Sequence, residues 1–230
     1  MAPRLTLLLA GATGLVGRSV LVQALSDARI ARIVAPTRRP FGRDVAAGGP
    51  DRPALDNPLV DFDHLPDDPR IWATDVAVCV LGTTIARAGS QEAFRRVDHD
   101  YVRDVARLTR RHGARAFALT SAMGANPRSR IFYNRVKGEA EESVSGCGFP
   151  SLTIVRPGLI GGVREESRPL EFAAQRFVGA LGRILPRRYR INPAPVIARA
   201  LLDAALRGRP GTHVIGSEAL AQASDGCRQT

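Results

Sequence analysis

Gly11-Ala12-Thr13-Gly14-Leu15-Val16-Gly17 is the stretch that decides the fold. The apolar run 4–10 leads into it, and an amphipathic helical pattern, 15–26, leads out. Glycines at these spacings permit a tight turn, close backbone approach to a pyrophosphate, and close packing of a helix on a strand. The helix that opens here offers free N–H groups and the positive end of its dipole. Strand, glycine turn and helix in that order give the motif its context. We therefore expect Gly11, Thr13, Gly14, Leu15, Val16 and Gly17 to cradle the phosphates of a dinucleotide.

Working outward, short apolar runs recur at 31–36, 59–62, 75–81, 114–120 and 151–156. Continuous runs of this length fit strands buried on both faces. Helical patterns at 91–112 and 132–145 lie between them. The alternation predicts an α/β protein, a Rossmann-type doubly wound parallel sheet with right-handed crossovers. Residues 38–58 carry four prolines and three glycines and are expected to be an irregular loop. From Pro157 the alternation fades. Helices at 170–181 and 195–206 and a late strand at 212–215 are expected to form a small C-terminal capping lobe on a single domain, with 221–230 as a frayed polar tail.

Composition narrows the function. The chain has 230 residues, is 44% hydrophobic and has a net charge of +11. No run approaches the ~20 apolar residues of a membrane span. The basic residues are scattered without a basic tail, which argues against nucleic-acid binding. Three widely spaced cysteines, Cys79, Cys147 and Cys227, give neither a disulfide framework nor metal-ligand spacing, so no metal is expected and a reducing cytoplasm is.

The second strand ends at Thr37-Arg38-Arg39. A carboxylate there would hold the ribose 2′-hydroxyl of NAD. Two arginines suit the 2′-phosphate of NADP instead. NADP(H) is thus expected over NAD(H), against the alternative that the arginines are only solvated. At the end of the third predicted strand, Asp61 is a candidate for the adenine amino group and Phe62 for its ring. Both are equally readable as strand-end features.

Lys137 is the only lysine; the other 32 of the 33 basic residues are arginine. It lies four residues after Tyr133, and residues i and i+4 share a helix face. A compact ammonium fits between sugar hydroxyls and a phenol, and a nearby cation favours phenolate. The pair reads as an acid/base tyrosine with its lysine. Ser121, closing the fifth strand, is placed to hydrogen-bond a substrate carbonyl, with Thr120 as the rival position.

The glycine motif, Ser121 and Tyr133-x-x-x-Lys137 together resemble the short-chain dehydrogenase/reductase superfamily in its atypical branch. They are most similar to the group of the Tat-interacting oxidoreductase and its bacterial relatives. Val60-Asp61-Phe62, Cys79-Val80-Leu81-Gly82-Thr83-Thr84, Val97-Asp98-His99-Asp100-Tyr101-Val102, Val136-Lys137-Gly138-Glu139, Val155-Arg156-Pro157-Gly158 and Glu166-Ser167-Arg168-Pro169 carry that resemblance. It implies that Tyr133 donates the proton, Lys137 binds the nicotinamide ribose and Ser121 orients the substrate. It also implies that Leu81, Gly82, Thr83 and Thr84 pass near the cofactor and that Pro157 and Gly158 contact its nicotinamide end. The family's tetrad asparagine has no match; Asp98 and His99 occupy the helix where it would be sought. The implied activity is NADP(H)-dependent hydride transfer to or from a small-molecule carbonyl or alcohol substrate. The alternatives are an NADP(H)-binding regulator of a protein partner and a nucleotide-sugar epimerase/dehydratase-like enzyme. On the helix 91–112, one apolar stripe (Phe94, Val97, Tyr101, Val105, Leu108) leaves charged faces, so a monomer or weak dimer is expected.

Overall fold

The computed structural model describes residues 4–42, 52–161, 188 and 190–226. The helix expected at 170–181 and the Glu166–Pro169 stretch lie outside the described residues. Among the described residues, seven parallel strands form one sheet in the order β3-β2-β1-β4-β5-β6-β9. They are β1 (Leu5–Ala10), β2 (Ile30–Val34), β3 (Ala54–Asp56), β4 (Val76–Cys79), β5 (Ala116–Thr120), β6 (Ser151–Arg156) and β9 (Gly211–Gly216). β1 pairs with β2 on one side and β4 on the other. The strand order reverses there, and ligands of such sheets bind in the crevice beyond the strands' carboxyl ends at that point.

Strand alternation divides the core. Leu7 and Leu9 of β1 face α1 (Leu15–Ala24) and the helix Ala194–Arg207. Leu8 and Ala10 face the opposite layer, which contains Val102, Val105 and Leu108. The first layer buries Val20, Leu21 and Ala24 against Ile197, Leu201 and Ala205. Both sheet faces are therefore covered, as a parallel sheet requires.

Two short helices, α2 (Pro69–Trp72) and α3 (Ile85–Ala88), precede a long helical stretch: α4 (Gln91–Arg95), one wide π turn (Arg96–Asp100) and α5 (Tyr101–Arg111). Val97 and Tyr101 of the expected stripe are only half-buried, whereas Asp98, His99 and Val102 are buried. Phe94, Val105 and Leu108 of the stripe are buried as expected, and only across the π turn does burial shift one residue along from the apolar positions. α6 (Phe132–Ser145) has its expected bounds.

The third strand is not 59–62 but Ala54–Asp56, inside the stretch expected to be a loop. Pro58 cannot donate to a ladder, and Asn57 ends the strand by donating to Ala35 O and Thr37 Oγ1 while accepting from Phe41 N. Leu59 makes a single bridge to Thr37. Val60 and Phe62 are buried and Asp61 is exposed, which imitates a strand's alternation in a segment that forms none.

Most of the stretch expected to form the capping lobe, 162–187, lies outside the described residues. On either side of it the described residues form a two-stranded ribbon, β7 (Ile160–Gly161) with β8 (Asn192–Pro193). α7 (Ala194–Arg207) belongs to a main layer, and β9 extends the main sheet in register with β6. The tail is helical as far as Gly226, within α8 (Ser217–Gly226), because Leu220 and Ala221 are buried in the core.

Candidate active site

The glycine turn is built by contact. Gly11 has φ +91°, and a Cβ there would lie 2.8 Å from the carbonyl carbon and oxygen of Val80. A Cβ on Gly17 would lie 2.0 Å from Gly11 O. Only hydrogen fits at either place, so α1 begins hard against the turn and the turn against the end of β4. Gly14 caps α1 in extended conformation with no side-chain cap. The first return bond runs from Arg18 N to Gly14 O, so the N–H groups of Leu15, Val16 and Gly17 have no helical partner. Thr13 and Gly14 are exposed beside them. Backbone N–H groups so placed at a helix N-terminus suit an anion.

Arg38 and Arg39 are exposed beyond β2, and neither forms an ion pair among the described residues. Thr37 is buried. Its hydroxyl donates to Arg39 O (2.6 Å) and accepts from Asn57 (2.7 Å), so it shapes the turn that presents the two arginines. Phe62 is 6% exposed and packs on Tyr101 with ring centroids 5.5 Å apart. It is a core residue rather than a free platform. The Asp61 carboxylate accepts from Asp63 N and pairs with His64, which holds it below the usual carboxylate range.

The chemistry gathers where β4, β5 and α6 meet. Ser121 follows Leu119 by alternation onto the α5/α6 side of the sheet, and Thr120 follows Ala118 onto the other. Among the described residues neither buried hydroxyl has a hydrogen-bond partner, and Ser121 is 5% exposed. The loop after Ser121 folds back on α6: Asn126 N donates to Asn134 O, and a Cβ on Gly138 would lie 2.2 Å from Pro127 N. The first turns of α6, which carry Tyr133, are thereby fixed against the loop that follows β5. The Tyr133 ring packs on Phe94 at 5.5 Å.

Lys137 is buried and pairs with Asp98, Nζ to Oδ1, at 2.7 Å. Burial alone would pull the ammonium down. Asp98, with Tyr133 and Cys79, outweighs it and holds Lys137 above the ordinary lysine range. The other Asp98 oxygen accepts from Thr83 N (2.8 Å), in the loop after β4. Leu81 and Thr83 of that loop are half-buried, and Thr84 caps α3. Sequence reading located Asp98 but not this contact. It also missed Asn192, whose Oδ1 accepts from Gly158 N and Ser217 Oγ, both at 2.8 Å, and so clips the Pro157-Gly158 turn to α8. Met123 N donates to Pro157 O, which ties this turn to the loop after β5.

The four histidines are all engaged elsewhere: His64 with Asp61, His99 with Asp100 and Ser143, His112 with Asp67, and His213 with Pro210 O. Burial pushes the Cys79 thiol up to about 12, so it is inert at neutral pH.

Comparison with known proteins bears on identity. No family model matches the chain. The mitochondrial protein fmp52 of Emericella nidulans is 35% identical over 221 residues, covering 91% of each chain. That of Aspergillus fumigatus is 36% identical over 223 residues, covering 92% of each. Protein HTATIP2 of Rattus norvegicus is 34% identical over 194 residues, or 84% of this chain and 78% of the relative. Among solved structures, MoeE5 in complex with UDP-glucose and NAD superposes with TM-score 0.68 at 18% identity, over 92% of this chain and 75% of that one. A putative NAD-dependent epimerase/dehydratase from Bacillus halodurans gives 0.62 at 17% identity, over 95% and 99%. These two share the Rossmann fold. The expected cytoplasmic placement is overturned by the fungal relatives, which are named mitochondrial. The glycine cradle, the Tyr133–Lys137 pair and relatedness along most of its length agree: the chain belongs to the atypical short-chain dehydrogenase/reductase superfamily, in the group that includes fmp52 and HTATIP2.

Proposed function

We propose that the protein is an NADP(H)-dependent oxidoreductase acting on a small carbonyl or alcohol substrate. The observation that carries this reading is Ser121, a buried hydroxyl with no partner among the described residues, at the carboxyl end of β5 on the face of the sheet that α6 covers. A buried polar group left unsatisfied by its own chain costs stability and calls for a ligand.

The residues fit a dinucleotide. The cradle that a Cβ at Gly11 or Gly17 would fill leaves backbone N–H groups for a pyrophosphate. Arg38 and Arg39 would take a 2′-phosphate, and Lys137 has N–H donors left over from Asp98 for ribose hydroxyls. When bound, the nicotinamide supplies or accepts the hydride. In the reducing direction Ser121 donates a hydrogen bond to the substrate oxygen, and Tyr133 gives it a proton as negative charge develops there. The Lys137 ammonium then offsets the charge left on the phenolate. A substrate panel followed by NADPH absorbance tests the reading; no turnover with any carbonyl or alcohol would reject it in favour of a cofactor-binding regulator.

NADPH should bind more tightly than NADH. Arg38→Ala should weaken NADPH by about tenfold, the scale of one charge-assisted hydrogen bond, and leave NADH nearly unchanged. Fluorescence titration of both cofactors checks this, and equal losses would remove the 2′-phosphate argument.

The protein should be a monomer at micromolar concentration. Arg103, Arg107 and Arg111 form an exposed row along α5, so a dimer seam on that face would stack arginines of two copies. A stable dimer in light scattering would contradict this.

A further inference from the structure

We propose that Asp98 is a positioning residue of this site: one buried carboxylate ties the Lys137 ammonium to the loop after β4, so that the lysine and the cofactor-side loop are held as one unit. Its meaning rests on the oxidoreductase reading above; its geometry does not.

Three separate elements converge on this carboxylate. The π turn supplies Asp98, α6 supplies Lys137 Nζ at 2.7 Å from Oδ1, and the loop after β4 supplies Thr83 N at 2.8 Å from Oδ2. Gly82 lies directly over the pair. A Cβ there would be 3.3 Å from Oδ1 and 3.7 Å from Nζ, so glycine lets the backbone cover both ions closely. A π turn is a rare feature that recurs at functional sites.

The charges support the same assignment. Asp98 is 1% exposed and Lys137 6% exposed, and neither ion would be tolerated there alone. Besides Asp98, the titratable groups acting on Lys137 among the described residues are Tyr133 from its own helix and Cys79 from β4. The Cys79 thiol is neutral at working pH, so Asp98 is the counter-ion. Without it, burial would dominate and the ammonium would lose its proton at lower pH. The two ions pair by charge at 2.7 Å, although Oδ1 has no aligned hydrogen-bond donor among the described residues, so ammonium N–H groups remain for a ribose. A carboxylate thus stands on the helix where the family's asparagine would be sought, and it contributes a full negative charge.

Because Lys137 is the only lysine, isotope-labelled lysine gives one side-chain signal in NMR that reports on this residue alone. In the wild-type protein without cofactor, that signal should not titrate below about pH 10. In Asp98→Asn its midpoint should fall by about two units or more, and the Thr83 amide signal should move. NADPH affinity, read from the cofactor's fluorescence, should be flat between about pH 7 and 9 in the wild type. In the variant it should be weaker by about tenfold and fall further as the lysine deprotonates. An unchanged lysine midpoint overturns the proposal, as does an Asn variant that binds NADPH like the wild type at every pH. If the wild type fails to bind NADPH at all, the oxidoreductase reading fails, and the lysine midpoint still decides whether Asp98 holds Lys137 charged. Should Asp98→Asn not fold, Gly82→Ala presses a methyl group on the carboxylate. It should give a smaller fall in the midpoint with weaker NADPH binding, and no change in either overturns the proposal.

Discussion

Tyr133→Phe should reduce turnover by about 10²–10⁴-fold while leaving the affinity for NADPH within about twofold of wild type. The ring stays, and with it the packing on Phe94 at 5.5 Å that seats the first turn of α6. Only the hydroxyl is lost, and with it the proton that the substrate oxygen needs in the transition state. Loss of a group that acts only there should appear in kcat and kcat/KM together. Lys137→Arg should behave differently and damage cofactor binding as well as turnover. The lysine head lies in a slot closed by Asp98 at 2.7 Å and by the backbone at Gly82. A planar guanidinium is wider than an ammonium and would have to displace one of them. Stopped-flow kinetics with the substrate found by the panel, together with cofactor titration, would separate the two patterns. Full turnover in the phenylalanine variant would remove Tyr133 from the chemistry, and full function in the arginine variant would make the lone lysine a coincidence.

The parts of this protein legible in its sequence are those in which one local signal has one physical meaning. The glycines of the turn gave β1, α1 and the switch point, because no other residue satisfies both contacts. Tyr133 and Lys137 were legible because i and i+4 share a face whatever surrounds them. Ser121 could not be separated from Thr120 by residue type. The sheet separates them, since alternation sends the two hydroxyls to opposite faces. What was misread had non-local causes. β3 is three residues long, half-exposed and at an edge, so it has no apolar run to announce it. The segment after it, Val60 to Phe62, alternates because two of its side chains are buried in the core, while its pairing stops at the single bridge between Leu59 and Thr37. The contact made by Asp98 was hidden most thoroughly. A search for apolar residues passes through Val97 and Tyr101, while the buried line holds a charged residue whose burial depends on a lysine 39 positions later.

Gly17→Ala should lower both stability and cofactor affinity, whereas Gly14→Ala should lower affinity alone. The added Cβ at position 17 would sit 2.0 Å from Gly11 O, far inside any tolerable contact, and its neighbour is backbone that cannot swing aside. Either α1 retreats or the turn opens. If α1 retreats, it withdraws Val20, Leu21 and Ala24 from the core they share with α7, and overpacking of this kind costs about 1–3 kcal/mol. If the turn opens, Gly11 leaves its φ of +91° and its close approach to Val80, and the free N–H groups lose their common direction. Both routes spoil the cradle, so NADPH affinity should fall by about 100-fold or more, equivalent to ~2.7 kcal/mol. At position 14 the Cβ would be 3.4 Å from Gly11 O, an ordinary contact, and φ −75° suits any residue. Stability should therefore change by no more than about 0.5 kcal/mol. The methyl group would still occupy space at an exposed helix N-terminus where a pyrophosphate must approach the backbone closely. Thermal melts of the cofactor-free proteins, paired with NADPH titrations, test both halves. Equal destabilisation by the two substitutions would mean that chain flexibility, not contact, is what the glycines provide. Unchanged affinity in Gly17→Ala would mean that the cofactor does not bind at this turn.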